Sequence, residues 1–513
     1  MKQYKTNQLK TGAMLSYIAI ILNIVSGLIY TPWMITKIGQ SQYGLYTLAT
    51  SFITLFLMDF GMSSAVTRFL SIYNARNDQD GVNNFLGVVY KLYILIDAVI
   101  FIILLTAYFF IGNIYDNLPP DELQIFKVLY IIVGLFSVIS FPFTNLNGIL
   151  TAYEKFVPLK ICDMTHKIGT VIIMVIVLLL GGNVYSLVAV NAIVGLTVIA
   201  IKLVVIKKDT VVKVNFGFFS KGILKQIFGF SVWTTVSSIM QRLIFNIAPT
   251  IIAAVSVTGS VGVAVFGLGS SIEGYVYTFA AALSGMFMPR VSKIIESENK
   301  DKDLFELLIR IGHLQVILVG FIVIGFISFG RTFIVDIWHK PDFELSYICT
   351  VLLIIPSFFH MPMEIANTAL VVEGRVKLQA FVMCAMGLVS ICSSLVLSKY
   401  YGALGASIAI FMAYMVRTIL FAIVYDKVLH INMKRFAKEV FIKLAPHFIL
   451  TLIAGLLLER FNPIANVYIR FGVNVLSVTI IYFAIMNIKG FNRYEKQMIE
   501  GMLNKVKYAI GGK

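Results

Sequence analysis

The side chains best able to do chemistry in this chain are a few ionisable groups set inside long apolar runs. Arg242 lies near the middle of the run Gly222 to Ser256, Glu273 in Val261 to Met288, Asp59 in Gln42 to Phe69, Asp97 in Asn84 to Ile111 and Arg417 in Ala403 to Tyr425. Glu364 follows Pro356 and Pro362, while Asp163, His166 and Lys167 share one stretch. A charge in hydrocarbon is costly unless it faces a partner or a wet cavity, so each is a candidate for function. Arg242 is permanently charged and offers a planar fork suited to phosphate oxygens; its structural alternative is an ion pair with Glu273 that joins two helices. Arg68 and Arg290 stand at an offset of 222 residues, each near the end of an apolar run. They would attract an anionic headgroup, or else serve as ordinary snorkelling anchors.

Other chemistries lack their residues. The six histidines are scattered without zinc-type spacing, and Cys162, Cys349, Cys384 and Cys392 read as buried small hydrophobes in apolar helices. No phosphate-binding glycine loop is present, so ATP is not consumed by this chain alone. The polar stretches reach only about 15 to 25 residues, too short for a catalytic domain. Neither an enzyme, a metal nor a cofactor is expected.

The elements that position these groups follow from composition. Of 513 residues, 58% are hydrophobic and 13% charged, with mean hydropathy +0.87; soluble domains are about a quarter charged. The class is an all-α polytopic membrane protein. A window of about 20 apolar residues finds about fourteen spans. The breaks at Gly181-Gly182-Asn183 and Tyr401-Gly402 are so short that tight hairpins are expected. Tyr43, Tyr46, Tyr115, Trp338 and Tyr400, near span ends, read as an interfacial belt. The first apolar run lacks a small-residue cleavage site and reads as a retained span.

The chain also repeats itself at an offset of about 220 residues. Pro142 recurs as Pro362, Asn147 as Asn367, Gly182 as Gly402, Asp116 as Asp336 and Phe85 as Phe305, and basic Lys155 is matched by Arg375. A parallel duplication with equal orientation of the two halves is a transporter architecture. Basic residues cluster in alternate loops, among them Lys155 and Lys160, the Lys202 to Lys225 stretch, Arg290 to Lys302 and Lys427 to Lys438. The positive-inside rule then places both termini in the cytoplasm. The formal charge of +16 is accounted for by loops facing anionic headgroups, and no basic soluble domain exists to bind nucleic acid.

The stretch Ile38-Gly39-Gln40-Ser41-Gln42-Tyr43-Gly44-Leu45-Tyr46 resembles the loop after the first span of bacterial polysaccharide flippases in the multidrug/oligosaccharidyl-lipid/polysaccharide exporter superfamily. Asp59-Phe60-Gly61 with Thr67-Arg68-Phe69 is similar to the family's second span, and Tyr401-Gly402-Ala403-Leu404-Gly405-Ala406-Ser407-Ile408-Ala409 to its entry into the twelfth.

The resemblance implies two pseudo-symmetric six-helix lobes, residues 1–208 and 209–430, facing each other across a cavity. An additional helical hairpin (431–490) and a cytoplasmic tail (491–513) would follow. It implies a substrate, a polyprenyl-diphosphate-linked oligosaccharide flipped from the cytoplasmic to the outer leaflet of the bacterial cell membrane by alternating access, for export of a surface polysaccharide. Arg242, Arg68 and Arg290 would then neutralise diphosphate, Asn23, Gln241 and Asn246 would hydrogen-bond sugar, and Asp59, Glu273 and Glu364 are candidates for ion coupling. Membrane lipids and other polysaccharide-assembly proteins are the implied partners. Three rivals remain open: a peptidoglycan lipid-precursor flippase, a multidrug cation antiporter of the same superfamily, and, from another class, a membrane glycan polymerase. Polymerases of that kind commonly need a large extracytoplasmic loop, which this sequence lacks.

Overall fold

The computed structural model describes residues 2–57, 62–285, 287–338, 340–492, 495 and 496, and among them every regular element is a helix. Among the described residues eleven helices are long and apolar enough to cross a membrane. One of them, Val376–Val428, is two spans joined at Gly402, whose φ of 53° and ψ of −127° cannot continue a helix. The helices Gln40–Phe56 and Met62–Ala75 lie in the run read as the second span, and the 27-residue helix Gly259–Gly285 in the run read as the eighth. The expected fourteen are thereby reached.

Large apolar side chains stand on the outside of the bundle: Leu180 is 81% exposed, Phe109 72% and Ile480 68%. Such a surface is stable only in hydrocarbon, where every backbone group must be paired within its own helix. Polar groups do the opposite. Asn474 is fully buried and donates from Nδ2 to Glu459 Oε2 at 2.9 Å, while Asn462 Nδ2 donates to Asn474 Oδ1 at 2.6 Å.

Polar caps set where several helices begin. Asp78 accepts from the Gly81 N–H and so starts the third span at Gln79, five residues before the first residue of its apolar run; Asn183 accepts from Tyr185 and Ser186, and Asn466 from Tyr468 and Ile469.

The sequence repeat has a structural counterpart. Pro120–Ser140 is interrupted by a 3-10 turn at Phe141–Phe143 and resumes as Leu146–Ala152; Glu344–His360 is interrupted at Met361–Met363 and resumes as Glu364–Val372. Pro142 and Pro362 sit in those turns, where a missing N–H and a fixed φ break the helical ladder. The following turns match as well, with left-handed backbone at Glu154 (φ 57°) and Gly374 (φ 74°).

By packing, the chain divides into two units. Unit 1 is Met1–Leu268 with Val376–Ala413, and unit 2 is Gly269–Arg375 with Tyr414–Lys513. Within unit 1, residues 211–218 lie as a strap along the helix Gln79–Ile114. Lys213 N donates to Asn83 Oδ1 at 2.8 Å, Asn215 N to Asn83 O at 3.1 Å, Asn215 Nδ2 to Asn84 Oδ1 at 2.7 Å, and Lys91 Nζ to Phe218 O at 3.2 Å. Gly87 leaves room for the Asn215 carbonyl, which any Cβ there would displace.

Two expectations are corrected. Tyr43 and Tyr115 are 4% and 2% exposed, and Tyr115 packs edge-on to Phe126 at 5.1 Å. They are core residues, because the helix ends carrying them are covered by neighbouring helices; Tyr400 is 73% exposed. Cys162 and Cys349 are buried as expected, but Cys384 is only half-buried and Cys392 is exposed on the outer face of its helix. In a helix solvated by lipid an apolar side chain has no need of an interior position.

Candidate functional site

Unit 1 carries Asn23, Arg68, Gln241, Arg242 and Asn246. The last three share the helix Lys221–Val255, which Ser220 starts by accepting from the Ile223 N–H. Arg242 is exposed, and it forms no ion pair with a described residue of its unit. Gln241 and Asn246 are half-buried beside it; Asn246 Nδ2 donates to the Arg242 carbonyl at 2.8 Å. That bond uses the amide nitrogen and leaves the amide oxygen for a ligand hydroxyl. Asn23 is half-buried on the first span. Arg68 is exposed, its guanidinium carbon 6.0 Å from the Phe69 ring centre.

Asp163 is resolved differently from its sequence neighbours. Its partner is Lys202 at 3.0 Å, with Lys160 at 3.8 Å, and Lys202 Nζ also donates to Asn147 Oδ1 at 2.9 Å. This network ties the fifth and sixth spans to the break in the fourth. Lys202 is 55 residues from Asn147 and 39 from Asp163, and no local pattern announces it. His166 Nε2 is buried without a hydrogen bond to a described residue.

Unit 2 carries Glu273, Arg290 and Glu364. Arg290 is exposed on the short helix Met288–Ile295. Glu273 and Glu364 are drawn into a buried cluster that the sequence did not define. Its centre is Arg417, 4% exposed, whose guanidinium carbon lies 5.6 Å from the Tyr414 ring and 5.4 Å from the Phe421 ring. Arg417 Nε and Nη1 have no hydrogen-bond partner among the described residues, nor has either ring nitrogen of His360, which stacks on Tyr414 at 5.1 Å. Glu364 lies within electrostatic range of Arg417 and accepts from Asn367 Nδ2 at 2.8 Å. Glu273 is 6% exposed, and Tyr425, 2% exposed, stacks on Phe421 with ring centres 5.4 Å apart.

Three helices build this cluster. Glu273 and Tyr277 are one turn apart; His360 and Glu364 flank the 3-10 turn Met361–Met363; Tyr414, Arg417, Phe421 and Tyr425 recur at three- and four-residue spacing on one helix face. That last spacing is the signal in the sequence from which the cluster could have been found. Asp59, the remaining candidate, lies outside the described residues.

A fourteen-span bundle with paired helix–turn–helix breaks and ionisable groups inside it defines a multi-pass membrane transporter. The chain belongs to the polysaccharide biosynthesis protein family, whose sequence model matches residues 9–294. It is 28% identical over 405 residues to an uncharacterized membrane protein of Methanocaldococcus jannaschii, covering 75% of this chain and 90% of the relative. Its fold is similar to that of the lipid II flippase MurJ in an inward closed conformation, with a TM-score of 0.71 at 14% identity over 95% of this chain and 100% of the other. It is also similar to an inward-facing multidrug resistance MATE family transporter of the MOP superfamily, with a TM-score of 0.60 at 15% identity over 80% of this chain and 96% of the other. The resemblance read from the motifs at Ile38 to Tyr46 and Tyr401 to Ala409 is thereby borne out: family and fold are those of transporters.

Proposed function

We propose that the protein flips a polyprenyl-diphosphate-linked oligosaccharide from the cytoplasmic to the outer leaflet of the cell membrane by alternating access, in the assembly of a surface polysaccharide. The observation that carries this reading is an exposed Arg242 on a membrane-length helix, with Gln241 and Asn246 beside it, in a chain of the polysaccharide biosynthesis family. A guanidinium fork suits the diphosphate, amides suit sugar hydroxyls, and the polyprenyl tail stays in the lipid. Arg68 and Asn23 extend the same polar lining, and Arg290 gives unit 2 an exposed charge that attracts the anionic headgroup. Coupling is assigned to the acidic residues Glu273 and Glu364, with Asp59 as a third candidate. The two six-helix lobes, 1–208 and 209–430, are proposed as the moving parts, with 431–490 an added hairpin.

A lipid II flippase reading is favoured by the fold likeness to MurJ, since a peptidoglycan precursor shares the diphosphate anchor. A deletion strain separates the two. Loss of a surface polysaccharide, with its lipid-linked repeat unit accumulating on the inner leaflet and peptidoglycan synthesis intact, is the expected result; arrested peptidoglycan synthesis would replace the proposal by the alternative.

Orientation has its own test. Cysteine labelling should reach Asn183, Gly259 and Pro341 from outside and Lys208, Asn299 and Glu373 only from inside. Labelling of Lys208 from outside would reverse the proposed direction of transport.

A further inference from the structure

We propose that the strap at 211–218 is a lipid-binding edge of unit 1. It seats in the boundary between headgroups and acyl chains, inserts Phe216 and Phe219 among the chains, and holds the phosphate of an anionic phospholipid with the lysines beside them. This role is independent of the cargo assigned above.

One face of the helix Gln79–Ile114 fixes the placement. Asn84, Gly87, Lys91, Leu95, Ala98 and Ile102 recur at three- and four-residue spacing and so form a single stripe. The strap covers the first three: Asn215 Nδ2 donates to Asn84 Oδ1 at 2.7 Å, Gly87 makes room for the Asn215 carbonyl, and Lys91 Nζ donates to Phe218 O at 3.2 Å. The last three are exposed apolar side chains, which only hydrocarbon stabilises. The strap therefore lies on the lipid-facing side of this span, at its basic end. A segment that is not helical can enter lipid only with its backbone donors paired. The N–H groups of Val212, Lys213, Asn215, Gly217 and Phe218 are all taken by oxygen acceptors within the unit.

The exposed side chains sort by depth. Lys213 is held at Asn83 and Phe218 at Lys91, and over those eight residues an α-helix rises about 12 Å. Lys207, Lys208 and Lys213 stand at the shallow end, whereas Phe216 and Phe219, both more than half exposed, stand at the deep end. The Phe216 ring centre is 6.1 Å from that of Tyr90, and the Lys91 ammonium lies 5.9 Å from the Phe219 ring. Large exposed rings below exposed lysines suit neither open water nor the middle of a bilayer; they suit the boundary between the two. Charge selects the lipid. The one acid between 207 and 219 is Asp209, and Lys155 Nζ is 3.8 Å from it. Lys91 uses one of its three N–H bonds on Phe218 and keeps two for a phosphate oxygen. A zwitterionic lipid carries its own cation and would leave these lysines unbalanced, so an anionic one is preferred.

The experiment is photocrosslinking of the purified full-length protein in nanodiscs of equal parts phosphatidylglycerol and phosphatidylcholine. Phe216, Phe219 and, as a reference on the open lipid face, Phe109 are replaced one at a time by p-benzoylphenylalanine, which keeps an aromatic ring at the position. Illumination should attach phospholipid at all three positions, as read by intact mass. With each lysine near an anionic surface contributing about a fivefold preference, the ratio of phosphatidylglycerol to phosphatidylcholine adducts at Phe216 and Phe219 should exceed that at Phe109 by at least about fivefold. Combining Lys207→Gln, Lys208→Gln and Lys213→Gln should return it to the Phe109 value. Because the ratio is read per adduct, a low yield of any variant does not affect it. Lipid adducts at Phe109 with none at Phe216 or Phe219 would place the strap in water and overturn the proposal, and adducts to a second copy of the chain would make it a protein interface instead. A ratio equal to that at Phe109, or one unchanged by the three lysine substitutions, would overturn the anionic site.

Discussion

Arg242→Ala is expected to lower export of surface glycan by at least roughly tenfold per inserted molecule, while the protein still folds and reaches the membrane. Each charge-assisted hydrogen bond from a guanidinium fork contributes about 1.5–3 kcal/mol, and every 1.4 kcal/mol is about a factor of ten in binding. Stability should be spared, because Arg242 is exposed and holds no ion pair within its unit. Lysine keeps the charge but offers no planar fork, so Arg242→Lys should recover only part of the activity. A purely structural pairing with Glu273 makes the contrary forecast: low protein abundance in either single variant and rescue by the charge-swapped double. The measurement is surface glycan normalised to membrane-inserted protein, and normal export from Arg242→Ala would remove this residue from the mechanism.

Gly44→Ala is expected to be as damaging by a wholly different route. The helix Gln40–Phe56 begins against the residue Ser260, and a Cβ on Gly44 would fall inside the Ser260 carbonyl oxygen and close to the Ala264 nitrogen. Both neighbours are backbone, so neither can step aside as a side chain could. Overpacking of this kind costs about 1–3 kcal/mol even where some relaxation is possible, a large part of a marginal stability. Folded protein in the membrane should fall sharply, as judged by gel filtration of detergent extracts. Gly472→Ala is the control: a Cβ there meets nothing within 4 Å, and yield should not fall. Equal yields of the two variants would refute the packing argument.

The contrast between those glycines illustrates what a sequence can and cannot display. The motif Gly39 to Gly44 was legible as a resemblance, and its physics now divides residue by residue. Gly39 takes φ 86° to end the first helix, Ser41 Oγ donates to Glu122 Oε1 at 2.5 Å, Ser260 Oγ reaches Ser41 Oγ at 3.3 Å, and Gly44 admits the Ser260 backbone. Spans were legible because hydropathy is a local property, and the breaks at Pro142 and Pro362 because proline acts on its own helix. The partners of the ionisable groups were not. Lys202 with Asp163 joins residues that only packing brings together, and one histidine in an apolar run, such as His360, has no distinguishing neighbour in the sequence. The tyrosines misled for a related reason: residue type predicts an amphipathic environment, whereas coverage by other helices decides whether Tyr115 ever reaches the interface.

The strap at 211–218 bears on how such a chain can be made at all. A segment tied along its length to an earlier helix has little freedom to shift in rotation or depth. Here residues 211–218 are fastened to Asn83, Asn84 and Lys91, more than a hundred positions earlier in the chain. The helix Gln79–Ile114 thus acts as a jig for the strap. Slack is the commodity this segment does not possess, and a change of length there would be transmitted to the position of Ser220, the cap from which the seventh span starts.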